Sequence, residues 1–148
     1  MENETTAGMI LWLGIIAAFI MNGIMIFRTR TLVNQIKGVI RTRQNLMMVK
    51  GTINLSMKLA IYYLVMCGAM LLIYLLLVSK GMPFISMMGK LFVFGVVTLP
   101  AGLAGKHFEK KIKNLTVDSE DPALATAFTN YLSQWERPQF QLKDLNQT

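Results

Sequence analysis

Acidic residues are missing from most of this 148-residue chain. Between residues 5 and 108 there are ten Lys or Arg and no Asp or Glu, and all eight acids lie before or after that stretch. Pumps and ion carriers place carboxylates inside their membrane helices to relay protons or bind ions. The apolar part of this chain has none, so a carboxylate relay is excluded.

Reactive side chains are also scarce. The chain has one cysteine, Cys67, and one histidine, His107. A disulfide framework needs at least a second cysteine, and a zinc or haem site needs further ligands beside the single histidine. The sequence has no Walker, HExxH or GxSxG pattern. We therefore expect no enzyme, no metal site and no cofactor.

What the chain has in abundance is apolar sequence, with 53% hydrophobic residues. Three runs stand out, at about 8–27, 59–78 and 84–105, and the first two carry no charge. A helix of twenty residues is about 30 Å long, the thickness of the hydrocarbon core of a bilayer. The sequence predicts an all-α integral membrane protein with three transmembrane helices.

The connection between the first two runs is basic and amphipathic. Over about 30–50, Leu32, Ile36 and Val39 share one helical side, while Arg30 and Lys37 lie on the other. The pattern predicts a helix on the membrane surface or a helical extension of the first span. Gly51 and its polar neighbours mark a bend before the second span.

The bases predict an orientation. Eleven Lys or Arg lie within residues 28–58 and 106–113, whereas the N-terminal stub (residues 1–7) has none. The positive-inside rule places both segments in the cytoplasm, with the N-terminus outside and the C-terminus inside. We expect a bacterial inner membrane. The chain divides into a membrane domain at 1–113, with a basic inner loop, and an inner-side tail at 114–148.

Basic residues at the inner border are the candidates for contact with anionic lipid headgroups. Nucleic acid is not expected as a partner, because these bases are spread along membrane borders without interleaved aromatic residues. The predicted lipid contacts are Arg28, Arg30, Lys37, Arg41, Arg43, Lys106, Lys110 and Lys111.

The tail contains a second amphipathic helix, predicted at about 122–136. Asp121 precedes Pro122 as a helix cap, Pro138 ends the helix, and residues 139–148 form a polar tail. The helix has no Lys or Arg, so its apolar stripe fits a protein groove better than anionic lipid. That groove belongs either to this chain or to another subunit. The predicted docking residues are Leu124, Phe128, Tyr131, Leu132 and Trp135.

Asn22 is the one strongly polar residue in the first span and is predicted to make an interhelical polar contact. The leading hypothesis is a non-catalytic accessory or assembly subunit of a larger membrane complex, with other membrane subunits or itself as partner. One alternative is a homo-oligomeric pore or small transport protein, lined by Asn22, Thr98 and Lys90. In topology, though in no motif, the chain is similar to some phage holins. Another alternative is a membrane recruiter of a cytosolic protein.

Overall fold

A computed structural model of the chain describes residues 2–137 and 142–143. Over these residues the chain is almost entirely helical. The elements, in chain order, are α1 (Glu2–Ile36), β1 (Val39–Ile40), α2 (Arg43–Ser79), α3 (Phe84–Lys113), β2 (Thr116–Val117) and α4 (Pro122–Trp135). The two short strands pair with each other in parallel.

The three predicted spans lie within α1, α2 and α3, and each helix is long and apolar enough to cross a membrane. Their outward faces carry large apolar side chains such as Leu13, Leu64 and Phe92, exposed by 67%, 72% and 72%. Exposed apolar surface on this scale is unfavourable in water but suits contact with lipid. The prediction of an all-helical protein with three helices that could span a membrane is confirmed.

Helix α1 is the centre of the bundle. It packs along both α2 and α3, whereas α2 and α3 make few contacts with each other. At the N-terminal end the packing is close: Gly14 faces Met70 and Phe94, and a side chain there would overlap Met70. The buried Tyr74 hydroxyl donates a hydrogen bond to the Ala7 carbonyl oxygen, 3.2 Å away. These contacts hold α2 and α3 against α1 at this end.

At the opposite end the helices extend beyond the apolar runs and build a second packed region. We call this region, formed by residues 28–58, 106–137 and 142–143, the head. Its buried side chains come from all four helices and form one core, which includes Leu32, Val49, Ile53, Ile112 and Phe128. The predicted membrane domain and the predicted tail therefore share a core.

The connection between α1 and α2 differs from the prediction. The first span has the predicted helical extension, because α1 continues to Ile36, but the chain then reverses and α2 begins at Arg43, so no single helix covers 30–50. Lys37 and Gly38 adopt left-handed conformations, with φ of 50° and 78°, and these end α1. The Thr42 hydroxyl then caps α2 by accepting a hydrogen bond from the Asn45 backbone N–H. The predicted bend at Gly51 is wrong, because this residue lies inside α2.

The reversal also pairs with a distant part of the chain. Val39 lies opposite Thr116, and Ile40 lies opposite Val117. The Thr116 N–H donates to the Gly38 carbonyl at 3.3 Å, and the Asp118 N–H donates to the Ile40 carbonyl at 3.0 Å. This short parallel pair joins the α1–α2 connection to the segment between α3 and α4.

Candidate functional site

A cleft of about 560 Å³ lies in the half of the bundle next to the head. Helix α1 forms its floor, and α2 and α3 form its two walls. Leu99 and Leu103 on the α3 wall are exposed by 57% and 61%, so the cleft opens sideways. Its lining is mostly apolar and includes Met21, Asn22, Met25, Leu59, Ala60, Tyr63, Gly95, Thr98 and Gly102.

Small residues line the α3 wall at helical spacing. Gly95, Thr98, Gly102 and Gly105 follow one another at intervals of three, four and three residues. A Cβ atom added at Gly95 or Gly102 would meet nothing within 4 Å. These glycines therefore do not serve packing within the chain, and they leave the backbone of α3 open to close approach from outside.

The polar groups of the cleft are largely satisfied by their own helices. The Asn22 amide nitrogen donates to the Ala18 carbonyl at 2.8 Å, and the Thr98 hydroxyl donates to the Phe94 carbonyl at 2.7 Å. The Asn22 amide oxygen faces α3, where a Cβ on Gly105 would lie 3.1 Å from it. Asn22 thus lies where α1 meets α3, and its predicted interhelical hydrogen bond stays a prediction.

Two charged residues lie at the head end of the cleft, Lys106 and Glu109. Glu109 is paired with Lys113, whose Nζ is 3.1 Å from the carboxylate. Lys113 lies beyond the predicted span, and its hydrogen bond to Glu109 raises the pKa of Lys113 above its usual value. Lys106 has no ion pair with any residue that the structure describes.

The stripe of predicted docking residues on α4 faces the head of its own chain. Leu124, Phe128 and Tyr131 are buried in the head core, and Leu132 and Trp135 pack against it. Another subunit would reach this stripe only after α4 had left α2. Docking on a different chain through these residues stays a prediction.

The start of the polar tail also returns to the head. Leu142 is buried, and its N–H donates to the Asn54 side-chain oxygen at 2.7 Å. Gln134 exchanges two hydrogen bonds with the Lys143 backbone, at 2.8 and 2.9 Å. The rest of the predicted polar tail, 139–141 and 144–148, lies outside the described residues.

The eight predicted lipid contacts are all exposed, but the fold separates them by position. Arg28, Arg30, Lys106, Lys110 and Lys111 lie at or near the ends of the apolar runs. The remaining three, Lys37, Arg41 and Arg43, lie beyond the end of α1, which extends about 12 Å past Arg28 into the head. Arg41 and Arg43 are also near carboxylates of the tail segment, Asp118 at 3.6 Å and Asp121 at 3.8 Å.

Lys90 has a partner that the sequence did not predict. Its Nζ donates to the Glu4 carboxylate at 2.6 Å and to the Ser86 hydroxyl at 2.7 Å. The Ser86 hydroxyl in turn donates to the same carboxylate at 2.9 Å. The base inside the third apolar run is therefore neutralised by an acid at the start of α1. No local pattern in the sequence indicates this pair, because 86 residues separate Glu4 from Lys90.

These features define an all-helical protein with three helices that could span a membrane, an open cleft between two of them, and a packed head. Among the described residues, no three His, Cys, Asp or Glu lie together as metal ligands. The chain matches no family model, no curated protein and no solved structure.

Proposed function

We propose that this protein is a non-catalytic accessory or assembly subunit of a larger membrane complex. The observation that supports it most is the cleft, because α2 and α3 both pack on α1 but leave room between themselves. The α3 wall from Gly95 to Lys106 is about 16 Å long, which corresponds to three turns of a partner helix. Exposed leucines and open glycines are the surface that helix packing in a membrane requires.

The proposed orientation follows from charge. Five exposed bases lie where the apolar runs meet the head, and the N-terminal stub has none. The positive-inside rule then puts the head in the cytoplasm and the N-terminus outside, as in a bacterial inner membrane. Anionic lipid is the proposed neighbour of the five border bases. Lys37, Arg41 and Arg43 lie more than a Debye length of about 8 Å further away, so they contribute less to lipid contact.

The cleft and the α4 stripe differ in readiness to bind. The cleft is open in the folded chain, whereas the stripe is covered by α2 and the rest of the head. A partner helix in the membrane therefore binds first. Docking of α4 on another subunit would be a second step, because Leu124, Phe128 and Tyr131 would first have to leave the head core.

The test fills the cleft with one side chain. Gly102→Leu adds a leucine where no atom lies within 4 Å of the new Cβ, so the chain itself should fold. Gly89→Leu is the matched control, since Gly89 lies in the same helix, has equal space, and does not line the cleft. Each variant is purified in mild detergent from its native membranes, and the companions are quantified by mass spectrometry.

We expect a stoichiometric membrane-protein companion with the wild type and with Gly89→Leu. With Gly102→Leu, recovery of this companion should fall at least roughly tenfold, the factor for about 1.4 kcal/mol. Equal recovery from both variants, or a wild-type chain without companions, would contradict the proposal. A photo-crosslinker at Leu103 identifies the segment of the partner that enters the cleft.

A pore made of several copies is the second candidate, because Asn22 and Thr98 both line the cleft. It predicts that the crosslinked product has twice the mass of one chain. It also predicts that liposomes containing the pure protein leak, and that Asn22→Leu abolishes the leak. Tight liposomes would refute this candidate.

A further inference from the structure

A second cavity, of about 480 Å³, lies between α1 and α2 on the head side of the apolar runs. Its lining residues recur at helical spacing on both helices, so two faces converge on one space. On α1 these include Arg28, Thr31 and Gln35, and on α2 they include Gly51, Asn54 and Lys58.

Each of the two bases of this cavity borders an apolar run. Arg28 directly follows the first apolar run, and Lys58 directly precedes the second. Among the residues that the structure describes, no carboxylate lines this cavity. Neither base has an ion pair with the described part of the chain, unlike Lys90, Lys113 and the two arginines near β1. Two unpaired positive charges thus share one cavity with the neutral polar side chains of Thr31 and Gln35.

Apolar surface continues from the cavity toward the membrane. Four residues from Arg28 along α1, Ile24 is 41% exposed, and four residues from Lys58 along α2, Tyr62 is 59% exposed. Residues four apart lie on the same helical face, so each base has an apolar neighbour on its membrane side. The arrangement is basic and polar at one end and apolar at the other, in the order of a phospholipid's headgroup and acyl chains.

We propose that this cavity binds the phosphodiester headgroup of an anionic phospholipid, with Arg28 and Lys58 as its charged contacts. The position at the ends of two apolar runs, and the apolar surface beside it, favour a lipid over a free phosphate. The site adds Lys58 to the bases predicted to contact lipid and gives two of them a defined pocket. It is separate from the cleft and does not depend on whether a partner helix occupies the cleft.

The test is native mass spectrometry of the full chain in detergent, titrated with phosphatidylglycerol or phosphatidylcholine. We expect one phosphatidylglycerol to be retained in preference to phosphatidylcholine. Arg28→Gln/Lys58→Gln should weaken its retention about 30-fold, the factor for two bases at about 1 kcal/mol each. Lys80→Gln/Arg137→Gln removes the same charge at two exposed bases that neither line the cavity nor belong to the predicted lipid contacts, and should retain the lipid. Equal retention by the two double variants would overturn the proposal.

A second pair of variants leaves every charge in place. Gly51→Leu projects a side chain into the cavity from a position with no atom within 4 Å of the new Cβ. Gly68→Leu is its control, with the same free space in the same helix and no part in the cavity. Both exchanges replace glycine inside a helix and should favour folding, which circular dichroism checks. Lipid retention should fall only with Gly51→Leu; the same retention by both would refute the site.

Competition with glycerol phosphate distinguishes the two sources of a phosphate group. A lipid site should keep its phosphatidylglycerol in a millimolar excess of glycerol phosphate, because the acyl chains add apolar contact that the free compound lacks. Displacement of the lipid by glycerol phosphate would show a site for a free phosphate ester and would overturn the lipid assignment.

Discussion

Truncation of Phe128 should release α4 from the head while leaving the three long helices folded. Phe128 is 5% exposed and lies between Leu124 and Tyr131 in the head core. A buried phenylalanine removes about 150–250 Å² from water, which at about 25 cal/mol per Å² corresponds to roughly 4–6 kcal/mol. Phe→Ala exchanges in protein cores cost about 3–5 kcal/mol, so we expect a loss near 4 kcal/mol.

That loss is large for a helix of this size. Helix α4 has 14 residues, and an isolated helix of that length is marginal in water, so its formation depends on docking. The nearby ion pair of Lys113 with Glu136, at 3.6 Å, is partly exposed and contributes little to holding it. Phe128→Ala should therefore increase the undocked fraction of α4 by at least about 100-fold, the factor for about 3 kcal/mol.

Hydrogen exchange with mass spectrometry, on the full chain in detergent, measures this effect. Peptides from 122–135 should exchange at least about 100-fold faster in Phe128→Ala, while peptides from the apolar runs keep their protection. Thr129→Ala is the control, because Thr129 is on the exposed face and its hydroxyl bonds only to the Ala125 carbonyl. Wild-type exchange rates in Phe128→Ala would show that the buried stripe does not hold α4, and would refute the reasoning.

Three further outcomes are expected from thermal unfolding in detergent. Gly14→Leu should destabilise the bundle by about 1–3 kcal/mol, because a Cβ there would lie 2.5 Å from the Met70 sulfur; an unchanged midpoint would contradict the close packing. Glu4→Gln should lower the midpoint more than Glu4→Gln/Lys90→Met, since the single exchange leaves an unpaired lysine in an apolar helix; the reverse order would show that the pair is unimportant. Thr42→Ala should cost about 1 kcal/mol through loss of the α2 cap, with Thr42→Ser as the variant that keeps stability.

The long helices and α4 were predictable because their signals are local. Apolar runs of bilayer length identify the spans, and each lies inside one observed helix. Asp121, Pro122 and the proline after the helix predicted α4, which runs from Pro122 to Trp135, one residue short of the predicted end. Caps and prolines act on their own neighbours, so they are visible without knowledge of the fold.

The reversal between α1 and α2 was missed because apolar residues at helical spacing continue through it. Val39 and Ile40 continue the helical pattern of Leu32 and Ile36, yet they form a strand that pairs with β2, 77 residues away in the register of Val39 with Thr116. Gly38 was the local signal, since glycine just after a helix typically takes the left-handed conformation that ends it.

The candidate sites depended on distances that the sequence does not contain. The sequence predicted that bases would lie at the membrane border, but it could not indicate that Arg28 and Lys58 share one cavity. The pair of Glu4 with Lys90 spans 86 residues, and the cleft exists because α2 and α3 fail to pack together. Such features follow from the arrangement of whole helices and have no local pattern.

The parallel pair of β1 with β2 has a mechanical consequence for the cleft. Helices α2 and α3 are joined at one end by the turn around Gly81, and the strand pair ties them together at the other. The two walls are thus connected at both ends, which opposes their separation. For the partner helix proposed above, these connections at both ends of the cleft favour entry from the side, in the plane of the membrane. Thr116→Pro removes the N–H that bonds to Gly38 and so weakens the strand pair. The head ends of α2 and α3 would then be freer to move relative to each other.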